Sequence, residues 1–169
     1  MKIDEKAIDG MIRRAVAAMK VASERSAKDA YRATERRLYA LPDIRAKLED
    51  DREALEEVKK YGVKNRSRSI TRFMKSGVRL TPEEALAAVV MNMEAEIAAD
   101  EHEIDTMERV LAAIADDSYY ETVTGRYMDC LSDQEIAEKL QCDASTVWRN
   151  RKRLVQRLSV RLYGAAAVL

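Results

Sequence analysis

Hydrophobic residues recur every three or four positions along most of the chain, which is the spacing of one face of an α-helix. The first such stretch runs from Ile8 to Leu41, and the pattern resumes directly after Pro42. A proline interrupts a helix or begins a new one, so we expect one helix to end near Leu41 and a second to reach about Tyr61. Residues 1–61 are therefore predicted to form an N-terminal helical module.

The most regular pattern lies in a predicted helix that begins at Thr81. Thr81 can accept the backbone N–H of Glu84, while the Glu84 side chain accepts the N–H of Thr81. Hydrophobic residues then alternate by four and three, as along the seam of a coiled coil or an antiparallel helix pair. At about 1.5 Å per residue this helix is about 50 Å long, so we expect the seam to pack against the N-terminal helices, a second subunit, or both. The predicted association seam comprises Leu86, Val90, Met93, Ile97, Asp100, Ile104, Met107 and Leu111.

A short predicted helix and a longer one, 144–162, lie near the C-terminus and are joined by three residues. Ser132 and Glu135 can form the same pair of hydrogen bonds, a capping box, at the start of the first helix. The connecting turn is Gln141-Cys142-Asp143. The side chain of Asp143 is expected to cap the second helix. This arrangement is typical of a helix-turn-helix, in which the second helix enters the major groove of DNA.

The predicted fold is all-α, with long helices in a coiled-coil or helical-hairpin module and a C-terminal helix-turn-helix domain. Composition agrees, since 169 residues include only 5 Gly and 2 Pro, and long helices tolerate few of either. The predicted order is the helical module 1–61, a basic linker 62–80, a long acidic helix 81–116 that carries the seam, the helix-turn-helix domain 117–164 and a tail 165–169.

Charge is unevenly distributed, although 30 basic and 30 acidic residues cancel over the whole chain. Residues 59–80 carry eight basic residues and no acidic one, whereas residues 81–117 carry eleven acidic residues and a single basic one, Arg109. Such segregation favours a surface that binds a polyanion. The linker is either a solvated connection or a secondary DNA contact that uses Lys64, Arg66, Arg68 and Arg72.

The second predicted helix has one basic face, opposite the stripe that begins at Val147. Arg149 on that face can bond O6 and N7 of guanine. Trp148 can contact a thymine methyl group or the DNA backbone, or it can pack against a neighbouring helix or subunit. Six basic residues and no acidic one lie between Ala144 and Gly164, and phosphates attract such a helix. The predicted DNA contacts are Ala144, Ser145, Thr146, Trp148, Arg149, Arg151, Lys152, Arg153 and Gln156.

Several short motifs carry a resemblance to a known family. They are Tyr119-Tyr120, Ile136-Ala137, Ser145-Thr146-Val147, Arg149-Asn150-Arg151 and Leu162-Tyr163-Gly164, together with the upstream segment 33–39 before Pro42. With them the chain resembles phage transcriptional regulators of the ArpU family, which are relatives of the RinA-type activators. The C-terminal part is also distantly similar to the promoter-reading domain of bacterial sigma factors.

The resemblance implies a small helical protein that binds DNA and regulates phage or prophage operons, often late genes, without enzymatic activity. The sigma-like pattern implies that Ala144, Ser145, Trp148 and Arg149 face the bases. Tryptophan at position 148 departs from the polar residue that is usual there.

The sequence offers no assembled enzyme or metal site. The sole histidine, His102, lies among acidic residues, and Ala99 occupies the position where a two-carboxylate helical metal site needs a glutamate. Neither Cys130 nor Cys142 has a basic neighbour that would activate the thiol, and no glycine-rich phosphate loop is present. We therefore expect no enzymatic activity, no cofactor and no metal.

The expected partner is double-stranded DNA, bound by a homodimer or a higher homo-oligomer. We expect a cytoplasmic location without membrane contact, because no apolar run reaches the length of about 18 residues that spans a bilayer. Two other functions fit the same pattern. One is a small terminase-like subunit for DNA packaging, and the other is a sigma-like adaptor that binds RNA polymerase through the acidic helix.

Overall fold

The computed structural model describes the backbone of residues 5–62 and 81–168, and the side chains of residues 28–62 and 81–168. Within these ranges the chain is all-α and contains no strand, which confirms the predicted fold class. None of the helices described is both long enough and apolar enough to cross a membrane. The helices are α1 (Glu5–Tyr61), α2 (Pro82–Ala112), α3 (Glu121–Tyr127), α4 (Asp133–Leu140) and α5 (Ala144–Tyr163), and a short 3₁₀ helix (Gly164–Ala167) follows α5.

The predicted break at Pro42 is wrong, because α1 is a single helix of 57 residues with Pro42 inside it. Proline lacks the N–H that would bond the carbonyl four residues earlier, which belongs to Leu38. Leu38 and Leu41 are both fully buried. Packing near the proline therefore sustains the helix despite the missing hydrogen bond, since tertiary packing supplies most of the stability of a helix in a protein.

The chain divides into two compact units, and α1 and α2 contribute to both. The C-terminal unit combines the chain up to Tyr39 with the chain from Arg109 onward, whereas the hairpin unit is the continuous stretch Ala40–Glu108. These bounds differ from the segments 1–61, 62–80, 81–116 and 117–164 that the sequence pattern suggested, because packing groups part of α1 with the C-terminal helices.

In the hairpin unit, α1 and α2 run antiparallel. Arg45 near the start of this part of α1 pairs with Glu108 near the end of α2 at 2.7 Å. At the other end, Lys59 pairs with Glu94 at 3.0 Å. The core between the helices is built from side chains one heptad apart in each helix; the fully or nearly buried members include Leu41, Leu48, Leu55, Ile97 and Ile104.

The predicted seam of α2 packs within its own chain. Ile97, Ile104, Met107 and Leu111 are buried, and the other four members are partly buried. Asp100 accepts a hydrogen bond from Nζ of Lys47 on α1 at 2.7 Å, which explains a polar residue in the stripe. Val89, only 2% exposed, also belongs to this core although the four-three spacing omitted it. The seam by itself therefore gives no argument for a second subunit.

Both predicted capping boxes, at the N-termini of α2 and α4, are present. At the start of α2, the N–H of Thr81 donates to Oε2 of Glu84 at 2.8 Å, and Oγ1 of Thr81 accepts the N–H of Glu84 at 3.2 Å. At the start of α4, the corresponding distances between Ser132 and Glu135 are 2.7 and 3.3 Å. These local bonds fix where each helix begins.

Candidate nucleic-acid interface

The turn between α4 and α5 has the predicted position, Gln141-Cys142-Asp143. Gln141 takes the left-handed conformation (φ 52°) that ends α4, and the N–H of Cys142 donates to the carbonyl of Ala137 at 3.0 Å. Ala137 and Val147 are buried where the two helices meet, and the half-buried Cys142 packs against them. Small and compact side chains at this contact let α4 and α5 approach closely.

Asp143 lies at the N-cap position of α5, but its side chain forms no capping hydrogen bond, contrary to the prediction. The backbone carbonyl of Asp143 instead accepts the N–H groups of Thr146 and Val147 at 2.8 and 3.1 Å. The first turn of α5 is thus closed by the backbone. Asp143 itself is an exposed residue.

One face of α5 is exposed where the sequence predicted a DNA-contacting surface. Leu154, Val155 and Leu158 on the other face are fully buried, so the rotation of the helix about its axis is fixed by packing. Of the predicted contacts up to Arg153, Thr146 and Arg151 are partly buried, Arg153 is exposed but ion-paired, and the remaining exposed set comprises Ala144, Ser145, Trp148, Arg149 and Lys152. We call the exposed set the α5 outer face.

Arg149 is folded back toward the first turn of α5. Its Nε donates to the carbonyl of Ser145 at 3.3 Å, and its Nη2 lies 3.5 Å from Oγ of the same serine. This places a guanidinium group near the N-terminal end of the helix, the end that enters the major groove in a helix-turn-helix. Within the part of the chain that the structure describes, Arg149 forms no ion pair.

Trp148 and Lys152 form a second pair, one turn apart on the outer face. Nζ of Lys152 lies 5.3 Å from the centroid of the indole ring, which is within the range of a cation–π interaction. The Trp148 residue is 52% exposed. The outer face therefore presents two cations and one large aromatic ring to solvent.

Arg151, one of the DNA contacts predicted from the sequence, is engaged within the fold. Only 12% of its side chain is exposed, and its two terminal nitrogens bond both carboxylate oxygens of Asp133 on α4. Those hydrogen bonds lower the pKa of Asp133. The sequence contained the relevant signal, because at about 100° per residue Arg151 lies only about 40° from Val147 and therefore on the buried side. Its role is to join α4 to α5.

Arg153 is exposed but already engaged. Its two terminal nitrogens bond Oδ2 and Oδ1 of Asp117, each at 2.9 Å, and Nε and Nη2 also donate to Asn150. Arg157 adds a bond to Asp117 at 3.3 Å. Hydrogen bonds from Arg153 are the main cause of the lowered pKa of Asp117. A phosphate would have to compete with this carboxylate for Arg153.

The predicted contact at Gln156 is also engaged elsewhere. Nε2 of Gln156 donates to the carbonyl of Ala167 at 2.6 Å, and the 3₁₀ helix that carries Ala167 packs back on α5. Ala167 is fully buried. The segment predicted as a tail, 165–169, thus begins as part of the packed unit, and the exposed outer face is confined to the first half of α5.

The C-terminal unit has a contributor that sequence reasoning did not assign to it. Ala30, Thr34 and Leu38 on α1 follow each other at intervals of four and are buried. Nearby, the hydroxyl of Tyr127 on α3 donates to Oε1 of Glu35 at 2.8 Å, and burial followed by this bond raises the pKa of Tyr127. The part of α1 that precedes Ala40 therefore completes the core of the C-terminal unit.

The remaining predictions concern a secondary DNA contact and a metal site. The secondary contact at Lys64, Arg66, Arg68 and Arg72 lies outside the described residues. Among side chains 28–62 and 81–168, no three of the types His, Cys, Asp and Glu come together as metal ligands would. No protein-family model, curated protein or solved structure matches this chain.

Proposed function

We propose that this chain is a sequence-specific DNA-binding regulator of transcription, and that α5 enters the major groove. The observation that carries the proposal is the α5 outer face, where Arg149, Lys152 and Trp148 are exposed on a helix whose opposite face is fully buried. Exposed cations on one rigid helix fit a polyanion with a groove wide enough for a helix. The phage or prophage setting, with late genes as targets, rests on the resemblance to ArpU-family regulators.

In this proposal the residues of the outer face have different tasks. The Arg149 guanidinium binds O6 and N7 of a guanine, a bidentate contact that discriminates between bases. Lys152 binds a phosphate or the groove edge and contributes affinity without sequence preference. Asp133 and Arg151 act only through position, since their ion pair fixes α5 against α4.

A single recognition helix reads few base pairs, so we propose that two copies of the chain bind two half-sites. Helix-turn-helix dimers place their recognition helices about one DNA turn apart or a multiple of it. The operator is therefore expected to contain two related sequences with that spacing.

The acidic helix α2 gives less support to a protein that acts by binding RNA polymerase. Several of its carboxylates are engaged by basic residues of α1 within the hairpin unit, including Asp100 by Lys47 and Glu101 by Arg52 at 2.7 and 2.8 Å. These ion pairs neutralise part of the acidic face of α2 within the chain. The outer face of α5 is the more available charged surface.

The test is to incubate the purified protein with fragmented host and prophage DNA at two salt concentrations and to sequence the bound fragments. We expect a few enriched sites with wild-type protein and their loss with Arg149→Ala. Arg36→Ala is the matched control, because Arg36 is an exposed arginine of α1 in the same unit.

Three results would contradict the proposal in different ways. Binding that is equal for all sequences, together with ring-sized assemblies in light scattering, would favour a packaging subunit. Capture of RNA polymerase without DNA would favour an adaptor. Equal loss of the enriched sites in Arg149→Ala and Arg36→Ala would remove the assignment of base reading to α5.

A further inference from the structure

Trp148 is the feature of the outer face that phosphate binding does not explain. It is the only tryptophan of the chain, and it is 52% exposed beside polar and charged neighbours. An indole ring gains free energy when its apolar surface leaves water, and tryptophan is highly buried on average in proteins. A half-exposed Trp148 therefore has apolar surface available for a ligand.

The ammonium group of Lys152 lies over the Trp148 ring on the helix surface and favours one position of the ring. The ammonium group 5.3 Å from the ring centroid covers one side of the indole, and the two residues lie one turn apart on a helix with a buried opposite face. A ring that is held before binding loses less rotational freedom when it is immobilised by a ligand. The pair is thus a preformed apolar contact placed between cations.

The ligand must offer an apolar group within a strongly anionic surface. In the major groove of DNA the C5-methyl group of thymine is the apolar feature of the base edges, and phosphates line both sides of the groove. A protein partner would be expected to meet a wider apolar area, since the centre of a protein interface is depleted in charge. The neighbours of Trp148 on the outer face are Ala144, Ser145, Arg149 and Lys152, of which two are cations.

We propose that Trp148, held by Lys152, reads the methyl group of a thymine, so that each half-site contains a thymine close to the guanine that Arg149 contacts. This inference rests on the proposed function and adds the composition of the recognised DNA. Trp148 and Arg149 are consecutive on the helix, about 1.5 Å apart along its axis and about 100° apart around it, so we expect the thymine and the guanine in different but neighbouring base pairs.

The test replaces thymines one at a time by deoxyuridine, which lacks only the methyl group, in the DNA sequence that wild-type protein enriches. Burial of one methyl group corresponds to about a fourfold change in affinity. We expect one thymine per half-site whose replacement weakens wild-type binding about fourfold, next to a base pair that Arg149→Ala no longer distinguishes. In Trp148→Ala the same replacement should change affinity by less than about twofold, while Trp148→Phe should keep part of the dependence.

Tyr61→Ala is the matched control, because Tyr61 is an aromatic residue of the hairpin unit that is 70% exposed. It should leave the methyl dependence unchanged. Helical circular dichroism identical to wild type is expected for Trp148→Ala, since the ring is exposed rather than part of the core. Quenching of the single tryptophan's fluorescence by the thymine duplex, and less by the uracil duplex, would give independent support.

Three outcomes would overturn the inference. In the first, no thymine replacement affects wild-type binding although a specific site is enriched, which leaves the proposed function standing and rejects the thymine contact. In the second, Trp148→Ala retains the full methyl dependence. In the third, Trp148→Ala changes the molecular mass in solution, which would assign the ring to an interface between copies. Absence of any enriched site would instead reject the proposed function itself.

Discussion

Gly125 shows how one residue sets the packing distance between α3 and α4. A Cβ at this position would lie 3.2 and 3.3 Å from Cγ1 and Cδ1 of Ile136, which is itself fully buried. Overpacking of a core costs about 1–3 kcal/mol, and the better helix propensity of alanine returns about 1 kcal/mol. We expect Gly125→Ala to lower the free energy of unfolding by up to about 2 kcal/mol, measured by urea denaturation. An unchanged or raised midpoint would show that Ile136 moves without cost.

Asp117 neutralises part of the positive charge of α5. It is 15% exposed and bonds Arg153 and Arg157, so Asp117→Asn should release part of two guanidinium groups. Each additional phosphate contact steepens the slope of log affinity against log salt by about 0.9. We expect Asp117→Asn to steepen this slope by about one to two such contacts on non-specific DNA. The measurement is fluorescence anisotropy at several salt concentrations.

The control for that measurement is Asp116→Asn, which removes the same charge from an exposed neighbouring residue. If both variants change the slope equally, net charge alone accounts for the effect. The Asp117 result would then say nothing about release of Arg153.

At the scale of single residues, the sequence predicted which side chains of α5 are exposed wherever the helical period alone determines exposure. The exposed positions Ser145, Trp148, Arg149 and Lys152 followed from the angular step of a helix. Arg151 lies on the buried side of α5 by its angle, although its charge is typical of a DNA contact, and Gln156 is engaged by the carbonyl of Ala167, which comes from a segment that packs back on α5. Partners that come from folding back of the chain are not visible in a helical period.

At the scale of elements, the ion pair of Asp133 with Arg151 joins α4 to α5 and gives their contact a pH dependence. The pKa of Asp133 is lowered in the folded chain, so its contribution to stability is present above the ordinary carboxyl pKa. That contribution begins to be lost as the pH falls below about 4, the ordinary carboxyl pKa. It is lost fully once the pH is below the pKa of Asp133 in the folded chain. Hydrogen bonds to a charged group contribute about 1.5–3 kcal/mol.

We therefore expect Asp133→Asn to destabilise the chain by about 2 kcal/mol at pH 7 and by clearly less near pH 2. Urea denaturation of wild type and variant at both pH values measures the difference. A deficit that is the same at both pH values would mean that packing of the side chain, rather than its charge, stabilises the contact.

The elements also show which helix boundaries a sequence reveals. The starts of α2 and α4 were predicted because the residues that define them are three positions apart. The continuity of α1 was not, since Leu38 and Leu41 compensate for Pro42 by burial against residues distant in sequence. For the same reason the stripe Ala30, Thr34, Leu38 was not assigned to the C-terminal unit, whose other members begin at Arg109.

At the scale of the whole molecule, the two units can be followed separately. Trp148 is the chain's single tryptophan and lies in the C-terminal unit, whereas circular dichroism reports all helices. Leu38→Ala truncates a fully buried side chain of the C-terminal unit, and Leu48→Ala truncates a side chain of the hairpin unit that is 5% exposed. Each change is expected to cost about 2–5 kcal/mol.

We expect Leu38→Ala to lower the midpoint of the Trp148 fluorescence transition more than Leu48→Ala does. Urea titrations followed by fluorescence and by circular dichroism measure both. Equal shifts of both signals in both variants would show that the chain unfolds as one cooperative body and that the division into units has no thermodynamic meaning.

The hairpin unit is inserted into the C-terminal unit, and this topology orders the events of synthesis. Leu38 precedes Leu158, with which it shares the C-terminal unit, by 120 residues. At about 5–20 residues per second, translation separates the two by about 6–24 seconds. Both helices of the hairpin unit have been synthesised once translation reaches Glu108, well before Leu158 is added. A ribosome that pauses before α5 is complete would therefore hold a chain with both helices of the hairpin unit and an incomplete C-terminal unit.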